Sequence, residues 1–348
     1  MALVSEDDPK GSNAVDCARA TALLPVLSSI LAGRRDALEL LARASGFQEN
    51  VVASPRLHAM VTLIQQWQAL RPTLCADDSE HGARLSVPLR RIERSEQVRD
   101  SLLDLITDGD VIRLSHGSLR FPCRHSLWTL IHEILLNEDY YFVSDSDAPV
   151  IIDGGAHMGM AIYYFKARHP HARITAFEPH PEMHALAMEN VVRNGWDAVE
   201  VLPFALAGSR RESTFHISES WSMAGSLSDR RRSLGDSVRE VTVACVPLSG
   251  YLNEPVDFLK LDIEGAEDEV LEEAALWLHN VANIFCEFHQ GAGVGSGRLV
   301  RILAVLERAG FDVQVGKSHN YQERSRRRPF THFDGAASMV IWARRRRD

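Results

Sequence analysis

The stretch PVIIDGGAHMG, residues 149–159, decides the fold. Val150-Ile151-Ile152 runs into Asp153, and the turn Gly154-Gly155-Ala156-His157-Met158-Gly159 follows at once. A short run that is apolar on both faces is the pattern of a strand buried in a parallel sheet. Glycines directly after such a strand let the main chain approach a ligand where a Cβ would clash. The amides opening the next helix, expected through Ala167, face the same space. Dinucleotide enzymes also use a glycine turn, so the turn alone leaves the ligand open. Asp153 narrows it. A carboxylate there repels a pyrophosphate at the helix N-terminus but suits a ligand carrying an ammonium group. A turn-capping aspartate that binds nothing is the alternative.

Downstream, strand and helix alternate. Arg173–Glu178 reads as a strand, Glu182–Asn194 as a helix and Val199–Leu202 as a strand. The alternation resumes at Asp257–Asp262, with a helix over about 266–279, a strand over Asn283–Phe288 and a helix over 298–309. Strands at 311–315 and Ser338–Ala343 follow. This order predicts an α/β, doubly wound, mostly parallel sheet of seven strands. Glu212–Ile217 and Val238–Val246 read as further strands flanking a polar stretch, 218–237, which is either a flap or an ordinary surface loop.

Glu178 ends the second strand, at the offset from Asp153 that fits an acid gripping a ribose diol. Without the preceding turn it would be a generic loop acid. Pro179 and His180 follow it, and Phe204 and Ala205 sit where an adenine packs. Asn190 and Asn194 are expected to cap or terminate their helix. A ribose acid beside a site that prefers an ammonium points to S-adenosylmethionine. The expected cofactor set is Asp153, Gly154, Gly155, His157, Gly159, Glu178, Pro179 and Ala205.

The second informative run is Leu259-Lys260-Leu261-Asp262-Ile263-Glu264-Gly265-Ala266-Glu267. Carboxylates concentrated where a parallel strand enters a helix mark the edge at which open sheets place their sites. Asp262 and Glu264 can orient a hydroxyl, accept its proton or hold a divalent ion. Asp262 as a helix cap, and Glu267 as a partner of the helix dipole, are the structural alternatives. Glu287 and His289 alternate onto one face of the next strand, within reach of those acids. A histidine there accepts a proton near neutral pH. His289, Asp262 and Glu264 form the expected catalytic group. The same three are the candidate ligands if an ion such as Mg²⁺ takes part.

These motifs resemble the FkbM family of methyltransferases. The resemblance spans about residues 149–316 and rests on the 151–159 turn, Ala176-Phe177-Glu178-Pro179, the 259–267 run and Glu287-Phe288-His289. It implies a Rossmann-like fold and O-methylation of a hydroxyl on a small metabolite, sugar or natural product. Asp153, Gly155 and Glu178 then serve the cofactor, and Asp262, Glu264 and His289 stand near the acceptor. His157 departs from the family's asparagine in the turn. A nicotinamide-dependent oxidoreductase on the same architecture, and a methyltransferase-like partner-binding scaffold, are the other readings.

The remaining sequence bounds the answer. The 348 residues are 45% hydrophobic and 24% charged, an ordinary globular balance. A net charge of −9 argues against nucleic acid as the main partner. The arginine runs 326–328 and 344–347 read as solvated charge. The five cysteines form no CxxC pair, and Cys245 and Cys286 read as buried hydrophobes. No apolar run is long enough for a membrane span, and the acidic N-terminus lacks the order of a signal peptide, so a cytoplasmic protein is expected. Residues 1–140 are expected to be a mainly helical extension, with helices in 14–46 and 55–69. It would cover the substrate site or build a homodimer contact. Residues 141–348 form the expected methyltransferase domain. The expected partner is a small hydroxylated metabolite or glycosylated natural product.

Overall fold

The computed structural model describes residues 109, 111–114, 116–136, 138–218, 225–227, 237–290, 297–317 and 337–346. The chain divides into two compact units, Met1–Ser115 and His116–Asp348, against an expected boundary at 140/141. Of the first unit, Gly109 and the strand β1 (Val111–Leu114) are described. The helices expected in 14–46 and 55–69 lie outside the described residues. So do the arginines 326–328, and Trp221, Met223, His319 and Tyr321, whose side chains are weaker candidates for acceptor contacts.

The second unit opens with β2 (Gly117–Arg120) and α1 (Arg124–Leu130), which runs into a π-helical turn, Ile131–Leu136. Then come β3 (Val150–Gly154), α2 (Met160–Arg168), β4 (Arg173–Phe177), α3 (Pro181–Asn194) and β5 (Val199–Leu202). Four further strands follow: β6 (Phe204–Leu206), β7 (Arg211–Ser218), β8 (Gly225–Ser226) and β9 (Val238–Val246). The chain continues through β10 (Val256–Leu261), α4 (Glu267–Ala274), β11 (Val281–Gln290), α5 (Gly297–Arg308), β12 (Phe311–Lys317) and β13 (Ala337–Arg345).

The main sheet has seven strands in the order β12-β13-β11-β10-β3-β4-β5, and β13 alone runs antiparallel. From β3 the chain winds outward through β4 and β5, then crosses to the other side of β3 for β10 and β11. The reversal between β3 and β10 opens a crevice at their carboxyl ends, where doubly wound sheets bind ligands. Ile151, Ile152, Phe258, Leu259 and Leu261 are buried from both faces, each worth about 1.5–3 kcal/mol against exposure. β6, β9, β7 and β8 form a separate four-stranded sheet.

Local chemistry sets the helix ends. Gly159 (φ 90) starts α2, and Pro181 takes the first position of α3 with its φ already helical. Gly195 (φ 59) stops α3 in the left-handed conformation, donating its N–H to the carbonyls of Val191 and Val192. Cys245 and Cys286 are buried, as expected. Arg345, however, is no solvated tail charge. It donates to the carbonyls of Val281, Ala309 and Leu278 and lies 4.5 Å above the Phe311 ring. Among the described residues no helix is long and apolar enough to cross a membrane.

Candidate functional site

The glycine turn and the acidic run meet at the crevice. Parallel pairing sets Lys260 opposite Asp153 and Leu261 opposite Gly154. The Asp262 N–H donates to Gly154 O at 3.1 Å, and the Gly155 N–H to Phe177 O at 3.0 Å. Gly155 adopts φ 89, and a Cβ built on it would lie 1.9 Å from the Asp262 carbonyl oxygen. Only glycine satisfies both demands. His157 also sits in the left-handed region, at φ 49. Asparagine tolerates that region well and histidine is enriched there too, which explains how His157 holds the turn in asparagine's place.

Asp153 is fully buried, and the ammonium beside it belongs to the protein itself. Lys260 Nζ stands 3.1 Å from Asp153 Oδ1 and donates to the carbonyls of Gly154 and Gly155 at 3.2 and 2.8 Å. Burial alone would pull the Lys260 ammonium down. The charge of Asp153, reinforced by Asp262 and Glu178, outweighs it and raises the pKa. Asp153 thus fixes the turn through Lys260, which the sequence reading did not assign to the site.

Glu178 follows β4 and accepts the N–H groups of His157 (2.6 Å) and His180 (2.9 Å). Burial pushes its carboxyl up to about 7, although both N–H groups and Lys260 favour the ionised form. Pro179 leads into His180, which is buried with Nδ1 2.8 Å from Glu182 and pulled down by burial. Ala205 is packed in the smaller sheet with Phe215, Ile217, Val243 and Cys245. Asn194 is the last residue of α3, as expected, and its Nδ2 also donates to the Asn190 carbonyl at 2.7 Å, whereas Asn190 lies one turn earlier and caps nothing. Their amides pair with the main chain of β2, because an asparagine amide presents the donor and acceptor of a peptide group.

The acid cluster gathers around His289. Its Nδ1 is 3.0 Å from Glu267 Oε1, and its Nε2 faces Glu264 at 3.5 Å, Glu287 at 3.7 Å and Asp262 at 3.9 Å. Burial opposes the charged imidazole, but Glu264, the Glu267 hydrogen bond and Glu287 push His289 up to about 10. Asp262 is driven up to about 7 by enclosure and by Glu287 and Glu264, against the pull of Lys260 and His289. Glu264 itself has φ 58, and its carbonyl accepts the Ser226 hydroxyl at 2.7 Å. β8, inside the polar stretch read as a flap or a loop, is therefore tied to the site. Non-glycine residues at positive φ on both facing loops, His157 and Glu264, store backbone strain there.

Sequence reading brought together Asp262, Glu264, Glu287 and His289, and the structure does the same. It missed Glu267 as the partner of His289, having assigned it only to the helix dipole. The interval of 22 residues between them hides a contact made across α4 and β11. It also missed two residues ahead of β3. Glu133, in the π-helical turn, is raised well above the usual carboxyl range by burial and by Glu287 and Asp262. Tyr140 packs edge-on against Phe285 at 4.7 Å, with Lys260 Nζ 5.6 Å from its ring centre. A π-helical insertion is a signal that often accompanies functional sites, but its sequence carries no periodicity to reveal it.

Residues 153–313 match the family model of the methyltransferase FkbM domain. Methyltransferase sdnD of Sordaria araneosa is 27% identical over 215 residues, covering 52% of this chain and 80% of that protein. Methyltransferase 1 of Beauveria bassiana is 26% identical over 206 residues, covering 53% and 80%. The crystal structure of an FkbM methyltransferase from Methylobacillus flagellatus covers 73% of this chain and 60% of its own, at 15% identity and a TM-score of 0.36.

Proposed function

From the match of residues 153–313 to the methyltransferase FkbM domain, we propose an S-adenosylmethionine-dependent O-methyltransferase acting on a hydroxyl of a small metabolite, sugar or natural product. The family match favours methyl transfer over the nicotinamide-dependent alternative and over a scaffold without activity. The observation that carries the proposal is the main-chain contact between Gly155 and Asp262. It joins the turn suited to the cofactor to the first acid of the cluster suited to the acceptor.

The residues fit S-adenosylmethionine. Glu178 offers a buried carboxylate for a ribose diol, beside a turn whose close approach at Gly155 admits no side chain. When bound, the cofactor supplies an electrophilic methyl group on a sulfonium. The chain holds the two partners in line, keeps water out and takes up the proton that the hydroxyl releases. Asp262 and Glu264 are the carboxylates that receive it. His289, ringed by carboxylates, acts as their fixed counter-charge and orients them, instead of accepting the proton as expected from the sequence.

A divalent cation is the second reading, favoured by one observation. Ligand atoms of Asp262, Glu287 and His289 lie within 4.8 Å of one another, with Glu287 in place of the expected Glu264. Glu267 holds Nδ1 of the imidazole at 3.0 Å and so fixes the direction in which Nε2 is presented to a cation. A bound cation would polarise the acceptor hydroxyl.

The test is calorimetric titration with S-adenosylhomocysteine and, in parallel, NAD. It is followed by transfer of labelled methyl to a panel of hydroxylated metabolites and glycosides. Binding of S-adenosylhomocysteine, and transfer lost in Asp262→Asn, support the proposal. Binding of NAD alone overturns it. Metal analysis after EDTA dialysis, and binding of Mn²⁺ followed by its magnetic resonance, decide the cation reading.

A further inference from the structure

We propose that Asn190 is a positioning residue for the cofactor turn and that it couples the turn to β2, a strand lying before the family-matched segment. The proposal rests on the reading that the turn binds S-adenosylmethionine.

The Asn190 side chain is fully buried in α3, and its amide is completely used. Nδ2 donates to the Met158 carbonyl at 2.8 Å, inside the glycine turn, and to the Arg120 carbonyl at 2.9 Å. Oδ1 accepts the Arg120 N–H at 2.7 Å. One side chain therefore grips the turn with one proton and the strand with the other proton and its oxygen. One helical turn later, Asn194 repeats the second half and donates as well to the Asn190 carbonyl at 2.7 Å, without reaching the turn. It accepts the Ser118 N–H and donates to the Ser118 carbonyl, both at 2.7 Å. β2 thus lies on α3 as though on a neighbouring strand, with two amides standing in for peptide groups. The approach is close. A Cβ at Gly117, whose φ is +154, would lie 2.4 Å from Asn194 Oδ1. α3 also meets the far end of the turn, where a Cβ on Gly159 would touch Ala187 at 3.8 Å.

A helix amide that caps nothing and touches no ligand has a reason to be buried here, because a buried amide without partners is costly. Releasing β2 strips Asn190 of two of its three hydrogen bonds and frees the amide to rotate away from Met158. A turn that holds its carbonyls in fixed directions then loses one restraint. Coupling of this kind is reciprocal, so a ligand that orders the turn must also tighten β2.

The full-length chain provides the test, with S-adenosylhomocysteine as the probe. Adding it to the wild type is expected to slow amide hydrogen exchange at Ser118 and Arg120. Asn190→Ala is expected to weaken binding about tenfold or more. Asn194→Ala frees β2 without touching Met158 and is expected to weaken binding about threefold, with faster exchange over 117–120 and over 155–159. Unchanged exchange at Ser118 and Arg120 on binding overturns the coupling without relying on any variant. Weak binding in Asn190→Ala with wild-type binding in Asn194→Ala also overturns it, because Asn190 would then serve the turn alone. A wild type that does not bind the probe overturns the cofactor reading itself, and the proposal with it.

Discussion

Lys260 Nζ lies 3.1 Å from Asp153 Oδ1, and both side chains are buried between neighbouring parallel strands. Removing one member of such a pair leaves the other charge without compensation, at a cost of about 3–5 kcal/mol. Lys260→Met is expected to lower stability by about that amount in urea unfolding. Adding Asp153→Asn should recover part of the loss. A single-variant loss below about 1 kcal/mol contradicts the pairing argument.

Gly154 and Gly155 should respond differently to the same added methyl. At Gly154 a Cβ meets the Leu206 and Leu261 side chains and the Lys260 carbonyl at 3.0–3.1 Å, without a left-handed backbone. At Gly155 it meets a carbonyl oxygen at 1.9 Å with φ 89. Gly155→Ala is expected to weaken S-adenosylhomocysteine binding by about tenfold or more, equivalent to at least ~1.4 kcal/mol. Gly154→Ala should cost clearly less. Calorimetry on both variants checks the order, and the reverse order contradicts it.

Cofactor affinity should rise with pH. The Glu178 carboxyl is pushed up to about 7 by burial, and its ionised form is the better acceptor for a ribose diol. Binding of S-adenosylhomocysteine is expected to strengthen between pH 6 and 8 (bounds of about one unit either side of that value), and Glu178→Gln should flatten the curve. The effect on stability has the opposite sign. A folded-state pKa above the unfolded value favours the folded form at low pH, and that contribution fades as pH rises from about 4.5 to about 7. The change is on the order of 3 kcal/mol. A difference between wild type and Glu178→Gln in ligand-free unfolding that grows in the other direction contradicts the assignment.

His289 should stay protonated through neutral pH because carboxylates surround it. Its pKa, about 10, owes part of the rise to the Glu267 hydrogen bond. Glu267→Gln is expected to lower it by about one to two units, the worth of a hydrogen bond to a charged group. Imidazole C–H shifts followed by nuclear magnetic resonance measure this directly. A wild-type ring that titrates near 6.5, the ordinary value for histidine, contradicts the cluster's electrostatics.

The parts of this protein that read well from sequence are those whose signal is local. β3 and its glycine turn, β10 with its acids, and α3 with its proline start and glycine stop each carry their cause within a few residues. Glu287 and His289 read correctly because strand alternation alone puts them on one face. Lys260 did not, since its role depends on register with Asp153, more than 100 residues away, and register is a property of the assembled sheet. Glu267 satisfied one local rule so well that its contact with His289 was invisible. Asn194 ends its helix as the local preference suggests, but the bonds that it and Asn190 make to β2 depend on tertiary packing that no local pattern reveals. Glu133 and Tyr140 come from a segment outside the family match, where no motif points to them.

The insertion of β13 beside β11 also sets a timetable. His289 pairs with Ser338 and Glu287 with Val340, so the strand that carries these side chains receives its second neighbour only 49 residues after His289 (338 − 289) has been made. At ribosomal speeds of roughly 5–20 residues per second, that delay is about 2.5–10 s. During it, β11 presents an open hydrogen-bonding edge rich in apolar side chains, the kind of surface that recruits other chains. Such an edge favours aggregation until β13 pairs with it. Slower translation over residues 290–337 should reduce the soluble yield, whereas faster translation there should raise it.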